Sequence, residues 1–339
     1  NDYNNDMFFF TRQAIIGIIG FIAMFIVSKI DYHLYGAYAK EFFWFSMFLM
    51  ALVQTPLGKT VNGARRWLRL PGGLSLQPAE ITKVAVILFI AYAICLLGQK
   101  AKKWDGIKIL LFYGIIAFLG AYKLTDNLST AVIILSITVV LIFVVHPKTK
   151  PFVAGVIAVG IVGIIGIICL KYTLAESDNF RMRRIIAWLN PEANADTDSY
   201  QFLQGLYAIG SGGFFGKGLG NSTQKLHAIP EAQNDMILAV ICEELGVFGA
   251  ILILCLFAFM LYRLLFIARN APDLYGSLVA TGIFAHIALQ VTLNIAVVTG
   301  LMPTTGVTLP FISYGGTAIV ILLAEMGIAL GISSKIRLK

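Results

Sequence analysis

Long apolar runs recur along this chain, at roughly 14–30, 41–57, 79–97, 107–124, 128–145, 151–170, 236–262, 277–300 and 317–334. Each is about the length that the hydrocarbon core of a bilayer requires of a helix. This feature limits the fold severely, because a segment in lipid must satisfy its backbone polar groups within a helix or a closed barrel. The runs are continuously apolar and do not alternate, which excludes a transmembrane β-barrel. Composition agrees: 58% of the 339 residues are hydrophobic and 13% are charged, with a mean hydropathy of +0.82. A soluble domain carries about 25% charged residues, so this chain cannot clothe a water-facing surface. The expected fold is an all-α polytopic membrane protein, with about nine transmembrane helices in one integral membrane domain over residues 1–339. All ten prolines fall at the ends of the runs or between them, as uninterrupted helices demand.

The formal net charge is +8. Its basic residues sit mostly between apolar runs, which marks them as orientation signals and headgroup contacts, and no nucleic-acid partner is expected. Cys95, Cys169, Cys242 and Cys255 all lie inside apolar runs, so neither a disulfide framework nor a thiolate metal site is indicated. The histidines His33, His146, His227 and His286 are scattered, and no metal ligand set is assigned. One set of connecting segments (28–40, 98–108, 146–150, 263–276 and the C-terminus) holds thirteen Lys and Arg, whereas the opposite short segments hold six. The richer side is expected to be cytoplasmic. That places residue 1 outside, Lys339 inside, and the long 171–235 loop, between the sixth and seventh spans, outside.

Two of the outer segments break the pattern. Residues 58–78 carry Lys59, Arg65, Arg66 and Arg69 on the side that usually avoids positive charge. The 171–235 loop is far longer than a simple connection, and its many apolar residues argue against disorder. Within it, Asn179–Asn190 (NFRMRRIIAWLN) sets three arginines beside a short apolar face and reads as an interfacial helix lying on headgroups.

Three stretches have residues suited to chemistry. The run Gly210–Gly220 (GSGGFFGKGLG) has six glycines, but a nucleotide loop of type GxxxxGK[ST] fails at Ser211 and at Gly218, and no strand precedes it. What remains is a permissive turn around Lys217, either structural or able to bring backbone N–H groups near an anion. The run Pro230–Gly246 (PEAQNDMILAVICEELG) sets Glu231 and Asp235 one turn apart, where the chain enters an apolar helix. A partly desolvated carboxylate beside another suits a general base, while acids also simply favour helix starts; both readings stand. Glu80 and Lys83 are spaced to pair within the third span, and Glu325 lies inside the ninth, where an ionisable group is functional by default.

Four segments together resemble the SEDS (shape, elongation, division and sporulation) family of peptidoglycan polymerases: Asn62–Lys83 (NGARRWLRLPGGLSLQPAEITK), Gly210–Lys225 (GSGGFFGKGLGNSTQK), Pro230–Gly246, and Pro303–Gly316 (PTTGVTLPFISYGG). The likeness runs over essentially the whole chain with matching spacing. Its wording is closer to division-type (FtsW-like) than to elongation-type (RodA-like) members. The opening NDYNNDMFFFTRQAI resembles the family's first outer loop running into its second helix, so the family's first transmembrane helix is expected to have no counterpart in these residues. One pattern departs: Asp126-Asn127-Leu128-Ser129-Thr130 puts an amide at 127 where the family carries a carboxylate.

What the resemblance implies is an inverting glycosyltransferase that polymerises undecaprenyl-linked lipid II at the extracellular face of the bacterial cytoplasmic membrane. It assigns the catalytic carboxylate to Asp235 and marks Arg66 and Trp67 as important. Such chemistry needs a base on the attacking hydroxyl and positive charge at the departing diphosphate. Arg65, Arg66, Lys83, Lys217 and Lys225 are the candidates for the second task, with Glu231 as a further substrate contact. A divalent cation, Mg or Mn, could share that work, though the sequence specifies no ligands for it. The implied partner is a class B penicillin-binding protein, a transpeptidase that crosslinks the new strands. A flippase for lipid-linked precursors is the alternative, and would need ionisable groups near the midplane. A structural scaffold would explain the helices but not the charged outer segments.

Overall fold

The computed structural model describes residues 8–61, 64–69, 75–173, 180–195, 199–227, 229 and 232–337. Glu231 therefore lies outside the described residues. The chain forms two compact units, one built from Asn1–His146, Phe259–Leu289 and Tyr314–Lys339, the other from Pro147–Ala258 and Gln290–Ser313.

The first unit begins with helices α1 (Phe8–Lys29), α2 (Tyr32–Ala37) and α3 (Ala39–Leu52). The basic segment that follows is not an open loop. It makes an antiparallel sheet of β1 (Gly58–Val61), β2 (Ala64–Arg69) and β3 (Ser75–Leu76), in which Trp67 stands opposite Lys59 and Leu68 opposite Leu76. A three-stranded meander this short gives no run long enough to read from periodicity, so an all-helical expectation passed over it. Next come α4 (Pro78–Leu97), α5 (Trp104–Leu119) and α6 (Leu128–Val145). Pro78 opens α4 at the position where its missing N–H costs nothing. Most of α4 is buried, and it packs against α3, α5 and α6 as the core of this unit. Phe43, Phe89 and Tyr113 seal that junction, with Phe43 and Phe89 stacked at 4.7 Å and Tyr113 edge-on to Phe89 at 4.9 Å. Asn127 caps α6 by accepting from the Thr130 N–H at 3.1 Å, a role that an amide fills as well as a carboxylate.

In the second unit lie α7 (Lys150–Thr173), α8 (Phe180–Leu189), α9 (Tyr200–Gly212), α10 (Thr223–His227), and the start of α11 (Ile237–Asn270) and the end of α12 (Leu274–Val298). The large loop is thus mostly helical, and α8 falls where the amphipathic stretch predicts a helix. The last helix, α13 (Gly316–Ser333), returns to the first unit and packs along α1. On that unit's predicted cytoplasmic side, Lys335 and His33 both bond Asp31, while Tyr32 bonds Asp273. Three chain segments are pinned together there.

Seven described helices are long and apolar enough to cross a membrane: those beginning at Phe10, Pro78, Trp104, Leu128, Ile237, Leu274 and Gly316. The remaining two expected spans coincide with α3, of 14 residues, and α7, of 24. The Lys and Arg asymmetry sets an outcome for the topology. Asn221→Cys should be labelled by an impermeant thiol reagent from outside, and Lys102→Cys should not; both side chains are exposed. Neighbouring Ser222 is fully buried and unsuitable as a reporter. The reverse labelling pattern would invert the orientation.

Candidate functional site

Asp235 lies in the turn 232–236 that leads into α11, and its side chain is half-buried. Gln201 of α9 donates its amide N–H to the Asp235 carboxylate at 3.3 Å. The main-chain carbonyl of Asp235 accepts from Asn294 at 2.9 Å, and the same Asn294 nitrogen donates to the Val307 carbonyl at 2.7 Å. One turn earlier on α12, Gln290 donates to the Thr308 carbonyl at 3.1 Å. Two amides one turn apart on α12 thereby tie the Asp235 turn to the segment 301–313. That segment passes over the carboxylate at Gly306, where a Cβ would stand 3.9 Å from Asp235 Oδ2. It also holds Phe311 at φ +64°, a left-handed conformation uncommon for a bulky residue and frequent at functional sites. Helix α8 also grips this stretch: Trp188 donates to the carbonyl of Gly300, just before it, at 2.8 Å and Arg184 to that of Thr304 at 3.2 Å. One face of α8 is therefore engaged by protein, and Arg183 is exposed.

Lys217 has a structural setting. Helix α11 breaks at Gly246, where φ is +68°. A break frees backbone groups on both sides, and the glycine-rich loop takes them up. The N–H groups of Lys217 and Gly218 donate to the carbonyls of Glu243 and Glu244, each at 2.9 Å. The N–H groups of Val247 and Phe248 donate to Gly213 and Phe214 at 3.0 and 3.1 Å. Glycine is required at Gly216, since a Cβ there would lie 2.2 Å from the Glu244 carbonyl oxygen. Of the two readings of this turn, the structural one accounts for its N–H groups at 217 and 218. The Lys217 ammonium reaches the fully buried Glu243 carboxylate at 2.7 Å, which also accepts from the hydroxyls of Ser222 and Thr223 at 2.5 and 2.9 Å. Lys225 is half-exposed and lies 3.5 Å from Glu244.

The other basic candidates belong to the first unit. Arg65 and Arg66 sit on β2, half-buried; Arg65 donates to the Thr55 carbonyl at 2.5 Å and Arg66 to that of Asp126 at 3.1 Å. Trp67, beside them, is half-buried too. Lys83 is buried and pairs with Glu80 at 2.9 Å, as their spacing predicts. Arg66→Ala should abolish most activity and leave the melting temperature near wild type, because Arg66 is only half-buried and an exposed hydrogen bond such as that to the Asp126 carbonyl contributes only about 1 kcal/mol. A large fall in melting temperature with normal specific activity would reassign Arg66 to holding the sheet.

Sequence reasoning missed Asn294, Gln290 and Gln201 because it searched for ionisable groups. Two amides one helical turn apart in an apolar span, Gln290 and Asn294, were the available signal. It also missed the partner of Glu325: His286 stands 2.9 Å from that carboxylate, and both are almost wholly buried in the first unit. Among the described residues no group of three or more His, Cys, Asp or Glu is arranged to hold a metal ion.

Comparison with known proteins gives a consistent answer. A family model described as cell cycle protein, covering FtsW, RodA and SpoVE, matches residues 1–338. A probable peptidoglycan glycosyltransferase FtsW from Geobacter sp. (strain M18) is 37% identical over 338 residues, covering 99% of this chain and 89% of the relative. Stage V sporulation protein E of Bacillus subtilis (strain 168) is 40% identical over 336 residues, covering 98% and 88%. Among solved structures, a chain of a peptidoglycan synthase complex that coordinates polymerization and crosslinking superposes with a TM-score of 0.80 at 24% identity, covering 98% of this chain and 92% of its own. The rod shape determining protein RodA of Thermus thermophilus gives 0.70 at 24%, covering 99% and 91%. The two structural likenesses speak for the fold, that of polytopic membrane proteins.

Proposed function

Since the chain belongs to the FtsW/RodA/SpoVE family of cell cycle proteins, we propose that it is a peptidoglycan glycosyltransferase, an inverting enzyme that polymerises lipid II. The acceptor sugar's hydroxyl oxygen forms a bond to the anomeric carbon of the donor. The bond from that carbon to the diphosphate oxygen breaks, and undecaprenyl diphosphate leaves with the electron pair. The hydroxyl proton goes to a base, and Asp235 is that base.

The observation that carries this reading is the setting of Asp235. Its turn is fixed by Asn294 through the main chain, which holds the residue in place at the start of α11. Gln201 bonds one carboxylate oxygen and so orients the group. A positioned base of this kind contributes about 10²–10⁴-fold to rate. Positive charge stabilises the departing diphosphate. Arg66, with its neighbour Arg65, and Lys225 are assigned to it, each to be tested by itself. Lys83 and Lys217 are assigned to their carboxylate partners, Glu80 and Glu243. Trp67 offers an aromatic face to a sugar ring, and Glu231 a second carboxylate one turn before the base. No step is assigned to a divalent cation.

The proposed setting is the bacterial cytoplasmic membrane, with Asp235 on the extracellular side, as the basic asymmetry of the connecting segments supports. The proposed partner is a class B penicillin-binding protein, in keeping with a shared fold whose solved complex couples polymerization to crosslinking. Purified protein given lipid II, alone and with that transpeptidase, should yield glycan polymer. The buried His286–Glu325 pair favours a second reading, transport of lipid-linked precursor, because charges deep in a span often line a path. Translocation of labelled lipid II across liposomes without any polymer formed would select it.

A further inference from the structure

The glycine-rich loop carries three large apolar side chains that nothing in the proposed chemistry uses. Phe214 is 58% exposed, Phe215 79% and Leu219 77%. The two phenylalanine rings meet edge to face at 4.9 Å, so they form one small patch. On a water-facing loop such a patch would be a liability.

Its height relative to the bilayer follows from α11. Between Glu244 and Arg263 this helix has no charged residue, and the 16 residues beyond the break, Val247 to Tyr262, rise about 24 Å at 1.5 Å each before Leu245 and Gly246 are added. That is close to the roughly 30 Å thickness of a hydrocarbon core. The boundary at the Asp235 end therefore falls at Glu244 and Leu245. The loop's hydrogen bonds fix it just past that level: Gly213 and Phe214 pair with Val247 and Phe248, inside the uncharged run. Irregular backbone at this depth is tolerated only where its polar groups are satisfied by protein. The bonds at 213, 214, 217 and 218 do this, and the Lys217–Glu243 pair fastens the loop from behind. Beside the patch, Val247, Phe248, Ile251 and Leu252 are 45–57% exposed on the span itself, as lipid-facing residues are. The patch continues that surface.

We infer that Phe214, Phe215 and Leu219 are inserted among phospholipid acyl chains, at the headgroup boundary of the leaflet on Asp235's side, and anchor the glycine-rich loop to the bilayer. Phe and Leu are among the side chains by which interfacial segments bury an apolar face at the boundary of headgroups and acyl chains. The loop thus bonds to the helix break through its backbone and to lipid through its side chains. The anchor does not depend on which reaction the protein catalyses.

The test is spin-label accessibility in nanodiscs of phosphatidylethanolamine and phosphatidylglycerol, with this protein alone and its native cysteines replaced. Labels at Phe215→Cys and, independently, Leu219→Cys are compared with Leu252→Cys in the span and Asn221→Cys on the loop's polar side. Collisions with oxygen should exceed those with a water-soluble nickel chelate at 215 and 219, as at 252, and the order should reverse at 221. Nickel collisions dominating at 215 and 219 would place the tip in water and overturn the anchor. Suppression of both collision rates there, as beneath another protein surface, would overturn it equally.

Discussion

Asp235→Asn should lower lipid II polymerisation by about 10²–10⁴-fold, the usual contribution of a positioned general base, while lipid II binding and melting temperature stay near wild type. The substitution is nearly isosteric. The Asn294 bond to the residue 235 carbonyl is made by main chain and survives it. An amide oxygen can still accept from Gln201, so the turn keeps its shape. What is lost is the capacity to take a proton from the attacking hydroxyl. Loss of activity with binding intact would separate chemistry from affinity. Glu231→Gln is expected to be much milder, and serves as the neighbouring-carboxylate control. Polymerisation by Asp235→Asn at near wild-type rates would remove this residue from the mechanism and send the search for a base to Glu231 and the 171–229 loop.

The membrane architecture was legible because each apolar run reports its own burial in lipid, with no need of distant contacts. Seven of the nine runs coincide with described helices long and apolar enough to cross a membrane, the run at 41–57 is helical only as far as Leu52, and the amphipathic stretch at 179–190 contains α8. The sheet at 58–76 was not legible: Lys59, Arg65 and Arg66 hide an alternation only a few residues long, and the charge drew attention from the pairing. The local run offered Asp235 as a candidate and the resemblance singled it out, but its supports were not legible. Gln201, Asn294 and Val307 come from three separate stretches and meet only in the folded unit. The partner of Lys217 was hidden for the same reason. A lysine among glycines suggests an anion until the fold brings it to Glu243, 26 residues on. Glu325 reads as a lone deep charge until His286 closes on it.

Glu243→Ala should cause the largest loss of stability among these substitutions. The carboxylate is fully buried and accepts from Lys217, Ser222, Thr223 and Gln224. Its removal leaves the Ser222 hydroxyl, itself wholly buried, and two backbone N–H groups without their acceptor. A buried polar group left unsatisfied, as the Ser222 hydroxyl would be, costs about 1–3 kcal/mol, and the part-buried N–H groups of Thr223 and Gln224 less. Breaking a buried pair by deleting one partner costs about 3–5 kcal/mol, and because the Lys217 side chain is a third exposed and can rehydrate, the lower end applies. Set against a total of about 5–15 kcal/mol for a folded domain, the change should lower the melting temperature by many degrees. Lys217→Met should cost less, since the carboxylate keeps its hydroxyl and amide donors. Glu243→Gln should fall between, retaining an oxygen that accepts and losing the charge. This ordering separates a buried polar hub from a simple ion pair, for which the two deletions would weigh the same. Thermal unfolding in nanodiscs measures it, and a wild-type midpoint for Glu243→Ala would show that the loop stays seated on the helix break by its four backbone bonds alone.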